Sequence, residues 1–198
     1  MASFKTIDAC KEVEFKDRGS RFIGYAYFVT SRQEVEDRIE ALRQGHPKAR
    51  HVCYAYVMAT EEDYRANDDG EPSGSAGLPI YNQIRSAGVL YTLVAVVRYF
   101  GGTKLGVPGL INAYKTAAKE TLQASGVKQE VEMAFIEMKF EYVQMEVVMS
   151  FVKSKNHEVT NQVFMENCTL TIKSPHEEID SYKNYLESHG VSYTIADH

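Results

Sequence analysis

Two segments hold most of the residue types that do chemistry in this 198-residue chain. The first is Asn67-Asp68-Asp69-Gly70-Glu71-Pro72-Ser73-Gly74-Ser75-Ala76-Gly77, where three carboxylates fall within four positions just before a Pro-Ser-Gly-Ser stretch that reads as a helix start. A helix N-terminus carries free N–H groups and partial positive charge, so Asp68, Asp69 and Glu71 have a structural use as caps, worth about 0.3–1 kcal/mol each. The same carboxylates offer oxygen ligands for a hard cation or split proton affinities for acid/base work, with the Ser73 and Ser75 hydroxyls beside them. The second segment is Arg98-Tyr99-Phe100-Gly101-Gly102-Thr103-Lys104-Leu105-Gly106-Val107-Pro108-Gly109. Its glycines free the backbone for positive φ and close approach of a ligand, and Arg98 and Lys104 set fixed positive charge on either side, which suits a phosphate. A plain strand-to-helix connection accounts for the same glycines.

Several chemistries lack their spacing. Leu105 stands where a phosphate-binding loop needs Ser or Thr after the lysine, so no nucleotide hydrolysis is read here. His46 and His51 are five apart with no Cys pair near them, which is not a zinc pattern, and Gly-Ser-Ala-Gly is not a nucleophile elbow. Cys10, Cys53 and Cys168 are odd in number and far apart, so they read as reduced thiols, Cys53 as a small buried strand residue. No cofactor and no metal are expected. His51 reads as a polar residue facing a cleft, and Tyr99, Phe100 and Tyr114 as aromatics either stacked on bases or buried.

The elements around these segments follow from periodicity. Strands are predicted at Glu12–Lys16 and Arg21–Val29, joined by a turn at Asp17-Arg18-Gly19-Ser20. A helix capped by Thr30 or Ser31 carries Val35, Ile39 and Leu42 and stops at Gly45-His46-Pro47. Alternation over Val52–Met58 predicts a strand closed by an acidic loop, Glu61–Glu71; a helix is predicted at Pro72–Ser86. Val89–Phe100 is apolar on both faces and so central in a sheet; a glycine loop Gly101–Gly109 leads to a helix at Leu110–Ala124. After a short polar linker at Gly126–Glu130 the order is strand Glu132–Tyr142, helix Val143–Lys155, strands Glu158–Met165 and Cys168–Lys173 with a turn at Glu166-Asn167, helix Pro175–His189 and strand Val191–Ile195. That βαββαβ order predicts a ferredoxin-like module. The class is α+β, with domains 1–128 and 129–198.

Composition supports a folded protein: 44% hydrophobic and 25% charged residues are ordinary globular values. The longest apolar run is too short for a membrane span, and the N-terminal residues lack a secretory apolar region, so a cytoplasmic location and no membrane partner are expected. The net charge of −5 is unevenly placed: residues 1–130 hold 17 Lys+Arg and 16 Asp+Glu, residues 131–198 hold 5 and 11. An anion-binding face on the first part is compatible with that division.

Asp68–Gly77 followed by Val97–Gly106, together with Ser20-Arg21-Phe22-Ile23-Gly24, His46-Pro47, Ala49-Arg50-His51, Gly109-Leu110 and Ala113-Tyr114, closely resembles the YigZ/IMPACT family in its bacterial two-domain form. Ser75 stands where the family pattern has Thr and keeps the hydroxyl; Pro108 stands where a Gly is common. The resemblance implies a first domain similar to ribosomal protein S5 domain 2 and domain IV of elongation factor G. It implies a second similar to the last domain of that factor. The function it implies is RNA or ribosome binding that modulates translation, with Arg21, Arg50, His51, Arg98, Tyr99, Gly101, Gly102, Lys104 and Gly106 on the binding face. Two other classes stay open: a metal-assisted phosphoesterase or other hydrolase built on Asp68, Asp69, Glu71 and His51, and a protein-interaction adaptor whose acidic second domain meets a basic partner.

Overall fold

The computed structural model describes residues 3–165 and 167–197, and two compact units divide the chain, one comprising Phe4–Glu130 and the other starting at Val131. Both mix helix and sheet. In the first unit the elements run β1 Ser3–Ile7, β2 Glu12–Asp17, β3 Ser20–Phe28, α1 Arg32–Gly45, β4 His51–Val57, β5 Tyr64–Asn67, α2 Gly77–Ala87, β6 Thr92–Tyr99, α3 Gly106–Ser125 and β7 Val127–Val131. Five of the strands form an antiparallel sheet in the order β2-β3-β6-β4-β5.

The apolar run predicted to be central is central. Alternate residues of β6 face two separate cores: Val94 and Val96 pack with Ile80, Ile84, Ala113, Tyr114 and Ala117 of α2 and α3. Leu93, Ala95 and Val97 pack with Val35, Ile39 and Leu42 of α1 on the other face. Each fully buried side chain of this size contributes about 1.5–3 kcal/mol, which holds the strand that carries Arg98 firmly in register. Helix α1 is capped as its sequence predicts: Ser31 Oγ accepts the Glu34 N–H at 3.2 Å.

Several boundaries differ from the sequence reading, for local reasons. The helix expected from Pro72 begins at Gly77, because residues 72–75 close a turn through Ser75 N–H to Pro72 O at 2.9 Å. Gly77 is required there: a Cβ would lie 2.5 Å from the Asn67 backbone nitrogen, so only glycine lets α2 start against the end of β5. The strand expected from Val89 starts at Thr92, since Gly88 is left-handed (φ 63°) as the cap of α2 and Tyr91 is also at positive φ (49°). The glycine loop expected to reach Gly109 ends at Leu105, and Pro108 sits in the first turn of α3, where an N–H has no helical partner to lose. The stretch read as a polar linker is β7, which pairs with β1 in a two-stranded sheet, and β5 lies inside the segment read as an acidic loop.

The second unit runs β8 Met133–Glu141, α4 Met145–Ser154, β9 Glu158–Val163, β10 Asn167–Pro175, α5 Ile179–Ser188 and β11 Ser192–Asp197. Single 3-10 turns at Tyr142–Gln144 and His176–Glu178 precede the helices, so both begin later than expected. The sheet is antiparallel in the order β11-β8-β10-β9. One face, Ala134, Ile136, Met138, Phe140, Leu170 and Ile172, packs against Val148, Phe151 and Val152 of α4 and Tyr182 and Leu186 of α5. Of the turn expected at Glu166-Asn167, Glu166 lies outside the described residues and Asn167 already belongs to β10. Among the described residues no helix is long and apolar enough to cross a membrane.

Candidate functional site

The register of β4 on β6 sets His51 opposite Arg98, and the turn after β5 brings Glu71 to them. Glu71 Oε1 accepts from Arg98 Nη1 at 2.5 Å and from the Tyr114 hydroxyl of α3 at 2.8 Å. Both side chains of the ion pair are buried, at 5% exposure for Glu71 and 7% for Arg98. The guanidinium also lies 5.4 Å from the Phe22 ring centre and 5.7 Å from that of Phe100. The Cys53 thiol is 3.2 Å from the Tyr114 oxygen and 3.0 Å from the Asp68 carbonyl oxygen; burial pushes both Cys53 and Tyr114 far up, so each stays protonated. His51 is oriented too. Its Nδ1 faces the Asp69 carbonyl at 2.7 Å, and since a carbonyl only accepts, Nδ1 carries the proton and Nε2 is turned toward Glu71, 4.0 Å from Oε1.

The other two carboxylates go elsewhere. Asp69 and Gly70 both adopt positive φ (44° and 85°), a reversal that sends Asp68, Asp69 and Glu71 to different partners. Asp68 accepts the N–H groups of Gly74, Ala76 and Gly77 at 2.8–2.9 Å, capping α2 from a distance. Burial alone pushes its carboxyl up, but these three donors outweigh it and hold the group below the usual carboxylate range. Asp69 takes both terminal nitrogens of Arg43 (2.7 and 3.2 Å) and the Val52 N–H at 2.6 Å. The cluster therefore does not converge on one point, and among the described residues no three His, Cys, Asp or Glu side chains are placed to hold a metal ion. Ser73 is exposed; Ser75 is buried, and its hydroxyl, like Arg98 Nε, finds no hydrogen-bond partner among the described residues.

The glycine segment has two faces. Gly101 is pressed against the β2–β3 turn: its N–H donates to Ser20 Oγ at 3.1 Å, and a Cβ there would lie 1.9 Å from the Gly19 carbonyl carbon. Gly102 and Gly106 are at positive φ (90° and 70°); a Cβ on Gly102 would meet nothing within 4 Å, and one on Gly106 only the Pro108 ring at 3.9 Å. Helix α3 starts without a capping side chain and without an acidic residue in its first turn. Lys104 is exposed, and the exposed Arg50 lies 5.7 Å from the ring centre of Phe100, itself 42% exposed. Arg98 is thus not the second free cation that its spacing from Lys104 suggests; Glu71 neutralises it in the interior. Arg21 is exposed but engaged with Glu14 and stacked 5.4 Å from the Tyr99 ring centre.

The sequence reading missed Arg43 as the partner of Asp69 and a polar relay on the α1 face. Tyr25 donates to Glu12, so it accepts from His46 Nε2–H, and His46 Nδ1 in turn accepts from the Tyr99 hydroxyl, each contact 2.9 Å. Pairing of β2 with β3 sets Glu12 opposite Tyr25, pairing of β3 with β6 places Tyr99 on the neighbouring strand, and His46 comes from the end of α1, so local sequence held no signal for the whole relay.

Fold and site together define a mixed α and β protein whose first unit surrounds a buried carboxylate–guanidinium pair with an exposed glycine-rich and cationic rim. The family model for the Impact N-terminal domain matches residues 18–122, and the chain belongs to the IMPACT family. It is 31% identical to the family member YvyE of Bacillus subtilis over 186 residues, covering 93% of this chain and 85% of that protein. YigZ of Escherichia coli is 28% identical over 170 residues, covering 84% of this chain and 83% of YigZ. A crystal structure described as that of a hypothetical protein superposes with a TM-score of 0.77 at 25% identity, covering 100% of this chain and 98% of that one.

Proposed function

We propose that this chain is a non-enzymatic binding protein that holds RNA, free or on a ribosomal surface, at the start of α3 and so modulates translation. The observation that carries the reading is the first turn of α3, a 20-residue helix with no capping side chain and no acidic residue, standing beside exposed Lys104 and the Arg50–Phe100 stack. Backbone N–H groups without acceptors and a positive helix end are completed by phosphate oxygens. Positive φ at Gly102 and Gly106 leaves the loop backbone open to close approach. Phe100 offers a base a stacking surface. The finer fold assignments belong to the same reading: the β11-β8-β10-β9 order supports a ferredoxin-like second unit, and the five-stranded sheet under α2 and α3 supports an S5-like first one. Asp68, Asp69 and Glu71 serve that scaffold.

The test is fluorescence anisotropy of the full chain with a labelled single-stranded RNA across a salt series. Each cation that neutralises a phosphate contributes about −0.7 to the log–log slope, so Lys104→Ala and Arg50→Ala should each reduce its magnitude by that amount and weaken all sequences alike. Phe100→Ala should lower affinity with little change in slope. No binding at low salt, or unchanged slopes in both cation variants, would overturn the reading.

A further inference from the structure

The outer face of α3 carries charge that the fold itself does not use. Lys115 and Lys119 are exposed, turned away from Leu110, Ala113, Tyr114 and Ala117, which are buried in the core below. They stand four residues apart, so one turn and about 6 Å of rise put them on one stripe, with exposed Asn112 a turn before. A solvated helix commonly sets a carboxylate three or four positions from each lysine. Here those positions are Ile111, Asn112, Thr116, Ala118, Leu122 and Gln123 and the other lysine, with no Asp or Glu among them. Glu120 is about 100° round the helix from Lys119. Lys104 stands just before the positive end of the same helix, where a cation is disfavoured. Among the described residues none of these three lysines makes an ion pair. Like charges one turn apart and a cation at a helix start both cost stability, and local rules broken with no compensation inside the protein mark a functional surface.

We propose that Lys104, Lys115 and Lys119 form one track, along which a single RNA strand runs from the Arg50–Phe100 stack up the outer face of α3; this rests on the RNA-binding reading above and extends its site to Lys119. From Gly106 to Lys119 the helix rises about 20 Å, room for several nucleotides. The elements packed on α3 keep the track positive. Strand β2 turns Phe15 to the core under α3, which sets Asp17 on the same side, and exposed Arg18 follows it in the turn. Helix α2 adds Arg85, paired with Glu61. Glu12, Glu14, Lys16 and Arg21 lie on the opposite face of the sheet, where Glu12 meets Tyr25 and Glu14 meets Arg21, and Arg98 is cancelled by Glu71. The cations Arg18, Arg85, Lys104, Lys115 and Lys119 thus outnumber Asp17, Glu61 and Glu120. Asp8, beside Gly126 at the far end of α3, closes the track beyond Lys119. A polyanion that lies along the stripe relieves both the lysine pair and the lysine at the helix start.

The probe is a fluorescein-labelled single-stranded RNA of about twelve nucleotides, titrated against the full chain across a salt series. Lys115→Ala with Lys119→Ala should reduce the magnitude of the log–log slope by about 1.4, twice the 0.7 of one contact, and Lys115→Arg with Lys119→Arg should keep the wild-type slope. Alanine is the better helix former and removes the like-charge pair, so amide exchange of α3 should be no faster than in wild type. Arg65→Ala is the control: it pairs with Tyr56, whose ring packs on the α1 side of the sheet, and should leave the slope unchanged. An unchanged slope in the Lys115 and Lys119 double variant, with Lys104→Ala still lowering it, would overturn the track and leave the site at the start of α3 standing. An equal loss in Arg65→Ala or in the arginine variant would overturn it as well. So would a polyglutamate peptide that binds with the same dependence on Lys115 and Lys119, which would assign the stripe to an acidic protein segment. No binding of the RNA by wild type at low salt would overturn the reading beneath it and the track together.

Discussion

Removing Glu71 should be among the most damaging single changes in the first unit. Glu71→Ala leaves the Arg98 guanidinium charged at 7% side-chain exposure, with the Phe22 and Phe100 rings for company and no carboxylate, and takes the acceptor from Tyr114, which is fully buried. Deleting one partner of a buried ion pair costs about 3–5 kcal/mol, because the other charge stays out of water without compensation. Arg98→Met should cost a similar amount, for Glu71 then loses its buried charge partner and is left with the Tyr114 hydroxyl and the His51 ring 4.0 Å away. The double variant Glu71→Leu with Arg98→Met should lose much less than the sum, since an apolar pair of similar volume needs no solvation. A whole-chain melt mixes the transitions of two units, so the readout is amide exchange of β4 and β6 peptides across a urea titration. With a slope of about 1–3 kcal/mol per molar urea, either single substitution should lower the β6 midpoint by more than about 1 M. Single losses below about 1 kcal/mol that simply add in the double variant would show that water reaches the pair and that this account of the core is wrong.

Asp68→Ala should cost about 1.5–3 kcal/mol at neutral pH through the loss of three backbone donors' acceptor, read from urea midpoints of α2 amides. The folded-state carboxyl sits below its unfolded value, so this contribution is complete above the unfolded range and disappears as pH falls through the folded one; a wild-type advantage that stays constant into acid would contradict it. Gly101→Ala should destabilise by about 3 kcal/mol or more, because its Cβ meets the Gly19 and Ser20 backbone at 1.9–2.2 Å. Gly102→Ala, in open space but at φ 90°, should cost only about 1–2 kcal/mol, and equal shifts of the β6 urea midpoint for the two would refute the packing argument.

What the sequence made legible is what short-range patterns encode. The run around Val94 predicts a strand buried on both faces, the spacing of Val35, Ile39 and Leu42 predicts α1, and the alternating elements after residue 131 predict the second unit in order. What it hid depends on chain reversal or on distant partners. Strand β1 is five residues of mixed polarity whose partner β7 lies more than a hundred positions on, so neither announces itself. Strand β5 is four residues with no alternation to read. The three carboxylates looked like one cluster because they are adjacent in sequence, and only the positive φ of Asp69 and Gly70 shows that they must part. Tyr114, the second donor to Glu71, sits 43 positions away, with nothing local to suggest the contact.

The same geometry divides labour between two cations that sequence places on equal terms. Arg98 is the penultimate residue of β6, paired with Phe22 on one side and His51 on the other, and its buried guanidinium meets the Glu71 carboxylate inside the fold. Six residues later the chain has passed two glycines and left the sheet, and Lys104 faces water before the uncapped turn of α3. A guanidinium already neutralised inside the protein has no counterions to release when a polyanion arrives, whereas an exposed ammonium does. On the RNA-binding reading proposed above, Arg98 therefore contributes only through the stability of the frame that positions the loop. The frame is tight where Gly101 is wedged against Gly19 and open at Gly102, so the loop backbone stays accessible there without giving up its anchor.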